Sequence, residues 1–242
     1  MITVVIGAAG AGKTQWIRQR LLDVPTALYF CPEAAIDGAQ IAAEFPSVTV
    51  YQSGQEAQMA EALRAGDRPV YIEVAACLDL QSIEQSLEAF SYRRVAIVPP
   101  GSPSSPSEWE QWADEQVIGV ETKAGPMAQL WRATLSGLVF DPASLDTVWQ
   151  ELTEGAYGQV QRAKGIFELA DGRSFYFDCV AGLKTFYAEL ALPQCLEGRP
   201  DRFSGIEVVG EGLEKEAIGE TLQQCLLSDA AIAHYQEQLS SL

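Results

Sequence analysis

The chain has 242 residues, of which 48% are hydrophobic and 20% charged, which suits a packed core and argues against wholesale disorder. Lys and Arg total 16 against 33 Asp and Glu, a formal charge of -17. A balance this acidic, with no Lys/Arg cluster, excludes nucleic acid and anionic membrane surfaces as expected partners.

The first half alternates short apolar runs with helical stretches. ITVVIG (2–7) reads as a buried strand and KTQWIRQRLL as the helix after it. TALYF (26–30) is a second strand, and DGAQIAAEF is a short helix opened by Asp37 as its N-cap. SVTVY (47–51) is a third strand, followed by the helical GQEAQMAEALRAG, which Gly66 closes at the C′ position. PVYIEVA (69–75) is a fourth strand with LDLQSIEQSLEAF as its helix, and RRVAIVP (93–99) is a fifth. Strands alternating with helices of this length predict an α/β fold with a mostly parallel, doubly wound sheet. PPGSPSSPSEW (99–109) reads as a surface loop, with Ser107 and Glu110 as a capping box for the next helix. EQVIGV (115–120) is a sixth strand, and GPMAQLWRATLSGLVF is expected as a helix running into a turn.

The texture changes near Gly155. Two strands in GQVQRAKGIFELADGRSFYFDCVAG join at Asp171-Gly172, a hairpin dipeptide. TFYAEL and FSGIEVVGEG are further strands, and EKEAIGETLQQCLL and SDAAIAHYQEQLSSL are amphipathic helices. Strands first and helices last predict a second, smaller α+β domain. The expected division is a nucleotide-binding domain over residues 1–150 and an α+β domain over 155–242.

The five cysteines are far apart and form no C-x-x-C, which fits reduced, buried thiols rather than disulfides. With no basic leader and no apolar run as long as a membrane span, the expected location is the cytoplasm.

Gly7-Ala8-Ala9-Gly10-Ala11-Gly12-Lys13-Thr14 matches G-x-x-x-x-G-K-[ST] at every fixed position, after a predicted strand and before a predicted helix. Glycines let the backbone curl so that successive N–H groups point at phosphate oxygens. The helix N-terminus adds its positive end. In such a loop, Gly7, Gly10, Ala11 and Gly12 cradle phosphates, Lys13 reaches the β- and γ-phosphates, and the Thr14 hydroxyl ligates Mg²⁺. An acidic partner is needed at the end of another strand. Glu73 in VYIEVAAC is the first choice, with Asp79 and Glu33 as alternatives.

Two regions resemble the CobW-like GTPases, a P-loop family tied to metal insertion and trafficking. VVIGAAGAGKTQWI is similar to the family's opening strand and phosphate loop. Residues 160–182, with Arg162-Ala163-Lys164-Gly165, and then FSGIEVVGEGLEKEAI, look like its C-terminal domain and its Arg-x-Lys-Gly motif. The resemblance implies GTP or ATP bound with Mg²⁺, held by Thr14 and Glu73, and slow hydrolysis that drives a protein partner or a metal-trafficking step. A protein partner or a homo-oligomer is expected with it.

The chain also departs from the family. Where C-x-C-C is usual it reads FCPEAAIDG with Cys31 alone, and one thiol makes no tight soft-metal site. Ala76 stands where Glu-x-x-Gly has its glycine. Glu121-Thr122-Lys123-Ala124 fills the slot of the guanine-reading Asn-Lys-x-Asp. The alternative function is therefore a degenerate GTPase serving as a scaffold or adaptor through its C-terminal domain.

His234, the one histidine, is expected on a helix surface, so no zinc site or Ser-His-Asp triad is expected. Arg162 and Lys164, two apart in a strand, share a face. Phe175, Tyr176, Phe177, Phe186 and Tyr187 are expected to pack the small sheet, and Trp109, Trp112, Trp131 and Trp149 a domain junction.

Overall fold

The computed structural model describes residues 1–8, 10–24, 26–32, 35–75, 79–101, 106–120 and 128–240. The expectations for Glu33, Ala76 and the stretch Glu121 to Ala124 fall outside these residues. The chain divides into two compact units, Met1–Thr122 and Lys123–Leu242.

In the first unit, helices follow strands almost without exception. The elements are β1 (Ile2–Gly7), α1 (Lys13–Leu21), β2 (Ala27–Phe30), α2 (Ala35–Glu44), β3 (Val48–Tyr51) and α3 (Glu56–Ala65). They continue with β4 (Val70–Ala75), α4 (Leu80–Leu87), β5 (Tyr92–Val98), α5 (Glu108–Trp112) and β6 (Glu115–Ile118). The six strands run in the order β3-β2-β4-β1-β5-β6, and every pair is parallel. β1 lies inside the sheet, which is why its apolar run does not alternate with polar residues. Period two still sorts its side chains. Val5 packs with Trp16, Ile17, Tyr29 and Ile41 in one core, while Val4 and Ile6 pack with Leu28, Met59 and Leu63 in another. Gly66 ends α3 in the left-handed conformation at φ 68°, and Ser107 and Glu110 form the capping box of α5. Both follow the turn chemistry read from the sequence.

The second unit comprises β7 (Gln129–Thr134), β8 (Val139–Phe140), α6 (Pro142–Glu154), β9 (Gln159–Leu169), β10 (Ser174–Val180), β11 (Phe186–Glu189) and β12 (Gly205–Glu211), then α7 (Lys215–Gln224) and α8 (Asp229–Ser240). Its strands run β11-β10-β9-β12-β7 with antiparallel neighbours, and β8 adds a short parallel pairing to β9. Trp149 of α6 anchors the core. Its ring meets Phe167 at 5.9 Å and Phe177 at 5.2 Å between centroids, both near perpendicular.

Four expectations are corrected. The helix expected over GPMAQLWRATLSGLVF is instead β7 and β8 where it is described. Trp131 and Ala133 alternate toward the core, and β7 pairs with β12 along its length. A partner strand some 75 positions away, as in Arg132 opposite Glu207, overrides the local helical pattern. With α6, these strands lie in the second unit, so the change of texture near Gly155 marks the start of the long β9. The tryptophans pack the cores of their own units. Trp109 and Trp112 lie against the first, and Trp131 and Trp149 in the second. Asp37 does not cap α2; it is buried within the helix's first turn.

No helix among the described residues is long and apolar enough to cross a membrane.

Candidate functional site

β1 delivers the chain into a glycine-rich turn at the carboxyl end of the sheet, where ligands of open α/β sheets bind. Gly12 is the N-cap of α1 at φ 98°, a conformation that favours glycine, and Gly10 is likewise left-handed at φ 80°. Gly7 is required for a different reason. A Cβ there would stand 2.6 Å from the carbonyl oxygen of Ile97 on the neighbouring strand. Lys13 and Thr14 open the first turn of α1, so both side chains start at the positive end of the helix.

Strand order brings the acid to this loop. β4 lies beside β1, with Glu73 opposite Val5 and Ala75 opposite Gly7. The Thr14 hydroxyl donates to Glu73 Oε1 at 3.1 Å. Lys13 is buried, and its ammonium donates to the carbonyls of Gly7 at 3.0 Å and Ala8 at 3.1 Å, with Glu73 Oε1 4.0 Å away. Thus Lys13, Thr14 and Glu73, chosen from the sequence alone, lie together. Asp79 does not join them. It caps α4, accepting from the Gln81 N–H and the Ser82 hydroxyl.

Sequence reading missed what lies on the other side of Glu73. Tyr29 of β2, wholly buried, donates its hydroxyl to Glu73 Oε2 at 2.8 Å. Burial first, and then the negative charge of Glu73, hold this phenol protonated well above its ordinary range. A tyrosine in an otherwise apolar buried strand was the available signal, because a buried hydroxyl needs a partner. Cys31 and Asp37 also converge here. Their ligand atoms and that of Glu73 lie within 4.8 Å of one another, and all three residues are buried. Cys31, alone in sequence, therefore stands beside two carboxylates. One thiol and two carboxylates are a chemically sound donor set for a cation of borderline softness such as Zn²⁺ or Co²⁺.

The opposite flank of the loop is apolar. Val120, after β6, donates its N–H to the Ala11 carbonyl at 3.0 Å, and its side chain lies over Gly12.

In the second unit, Arg132, Glu207, Lys164 and Asp178 occupy one row across β7, β12, β9 and β10. Glu207 joins Arg132 at 2.6 Å and Lys164 at 3.2 Å, and Arg162 reaches Asp178 at 3.5 Å. Arg162 and Lys164 thus share a face, as their spacing requires, with Lys164 in the row of alternating charge and Arg162 beside it. His234 lies exposed on α8.

Residues 136–226 match the family described as the cobalamin synthesis protein cobW C-terminal domain. No curated protein sequence matches the chain. Among solved structures, the chain is similar to a Zn(II)-bound YjiA GTPase from E. coli, at 12% identity over 93% of this chain and 98% of that one, with a TM-score of 0.35. A Zn(II)-bound triple mutant of YjiA GTPase aligns over the same shares at 12% identity and a TM-score of 0.34.

Proposed function

We propose that this chain, whose residues 136–226 carry a CobW C-terminal domain, binds a purine nucleoside triphosphate with Mg²⁺ at the loop from Gly7 to Thr14. The observation that carries the reading is the meeting of Lys13 and Thr14, on the first turn of α1, with Glu73 from the adjacent strand.

Backbone N–H groups of the loop and the end of α1 supply a fixed positive field for the phosphates. The Lys13 ammonium, now on the Gly7 and Ala8 carbonyls, exchanges them for β- and γ-phosphate oxygens. Thr14 would hold the metal through its hydroxyl, and Glu73 would accept a hydrogen bond from a water on it. The bound Mg²⁺ would neutralise charge on the phosphates. Slow hydrolysis, coupled to a protein partner or to metal trafficking, completes the reading.

Isothermal titration of GTP and ATP with Mg²⁺ tests it. Lys13→Ala removes a charge-assisted contact and is expected to weaken binding about 10- to 100-fold. Wild type and variant binding equally poorly would sink the proposal and leave the scaffold or adaptor role.

One observation favours a second, metal-linked reading, namely the convergence of Cys31, Asp37 and Glu73. Glu73 belongs to both groups of residues, so metal and nucleotide would meet at one carboxylate.

A further inference from the structure

Glu73 is held at both ends of its carboxylate by hydroxyls from different elements. Thr14 of α1 donates to Oε1, and Tyr29 of β2 donates to Oε2. The two contacts differ in permanence under the nucleotide reading, on which this inference rests. Thr14 must turn its oxygen toward Mg²⁺, which releases Oε1. Tyr29 lies in the interior of the sheet, wholly buried among Val5, Ile17 and Ile41, where the Cys31 thiol and the Asp37 carboxylate also face its phenol and no metal ligation is asked of it. Phenylalanine would satisfy that packing alone, so the hydroxyl calls for a polar explanation.

We propose that Tyr29 is a positioning residue that pins Oε2 of Glu73, so that Oε1 passes from the Thr14 hydroxyl to a Mg²⁺-bound water without the carboxylate turning. The same bond has a second effect. Lys13 is 4.0 Å from Oε1, beyond the 2.7–2.9 Å of a close charge-assisted contact. By holding Glu73 back, Tyr29 leaves the Lys13 ammonium on the Gly7 and Ala8 carbonyls, from which a phosphate can take it. Without the hydroxyl, Oε2 of Glu73 loses that donor, and a shift of the carboxylate toward Lys13 would close an ion pair that competes with both phosphate and metal. Partners of this kind, one bond removed from the metal, typically tune its affinity 10- to 100-fold.

The test is Tyr29→Phe in the full chain, with GTP and ATP affinity measured across a Mg²⁺ series and in EDTA. The Mg²⁺ concentration for half-maximal tightening is expected to rise about 10- to 100-fold. Affinity in EDTA should change less than about twofold, since Lys13 and the loop N–H groups are intact. Glu73→Gln provides a second background, and Tyr29→Phe added to it should shift the Mg²⁺ dependence little further, because both act through one carboxylate. An unchanged Mg²⁺ dependence in Tyr29→Phe, or an equal loss with and without Mg²⁺, would overturn the positioning role while the nucleotide reading stands. Wild type that binds neither nucleotide would overturn both.

Discussion

The Val120 N–H donates to the Ala11 carbonyl across 3.0 Å, and Gly119 lies so close that a Cβ would stand 2.1 Å from the same oxygen. The chain leaving β6 therefore braces the loop that follows β1, from the side opposite Glu73. Gly119→Ala must push that loop away or shift Ile97, whose Cγ2 would be 2.5 Å from the new atom. Overpacking of this kind typically costs 1–3 kcal/mol. Thermal unfolding should show the loss, and triphosphate affinity should fall with it. Unchanged melting and affinity would mean that the brace does not set the loop.

Cobalt titration tests the Cys31, Asp37 and Glu73 cluster as a metal site independently of nucleotide. A thiolate ligand gives Co²⁺ a charge-transfer absorption that carboxylates do not. Wild type is expected to develop this band, Cys31→Ser to lose it, and Asp37→Asn to weaken binding with the band retained. Equal binding by wild type and Cys31→Ser would remove Cys31 from the donor set.

Arg202 grips Glu168 with two donors, at 2.8 and 2.6 Å, while its other contacts are the carbonyls of Gly172 and Pro193. Glu168 is fully buried. Arg202→Ala leaves that buried charge with only the neutral Ser174 hydroxyl at 2.6 Å and should cost about 3–5 kcal/mol in urea denaturation. Replacing Arg202 and Glu168 by Met, with Ser174→Ala to remove the hydroxyl that Glu168 accepts from, should recover most of the loss, because no buried charge or hydroxyl is left without its partner.

Asp141 caps α6, accepting from the Ser144 N–H and hydroxyl, and these bonds lower its pKa. A pKa lowered on folding means that the cap's charge-dependent contribution is full above the unfolded value of about 3.9 and is lost as pH falls through the folded one. Asp141→Ala should cost about 1 kcal/mol at neutral pH, as lost N-caps do. The gap from wild type should narrow below about pH 4. A constant gap down to pH 2 would show that the charge of Asp141 contributes nothing.

The glycine-rich loop before α1 was legible because its residues are contiguous. Strand, turn and helix succeed one another within Ile2–Leu21, and each glycine answers a local demand of the backbone. Glu73 was legible too, as an acid near the end of a strand in a parallel fold. Asp37, by contrast, looks like a cap, and Cys31 looks solitary. Their meeting with Glu73 and Tyr29 depends on β2 lying beside β4, with β3 and α2 packed next to it. β7 was misread for a similar reason. An edge strand is stabilised by its partner, and Trp131 finds Val208 only after β12 is in place.

Hydrophobic period and turn residues, which act over a few positions, settled the α/β order, the α+β end and the Gly7–Thr14 loop from sequence alone. Only the tertiary structure decided what holds Glu73 at the loop, which residues join it there, and where the second unit begins. Those depend on strand order and register, which are set by contacts between residues far apart in the chain that no local pattern encodes.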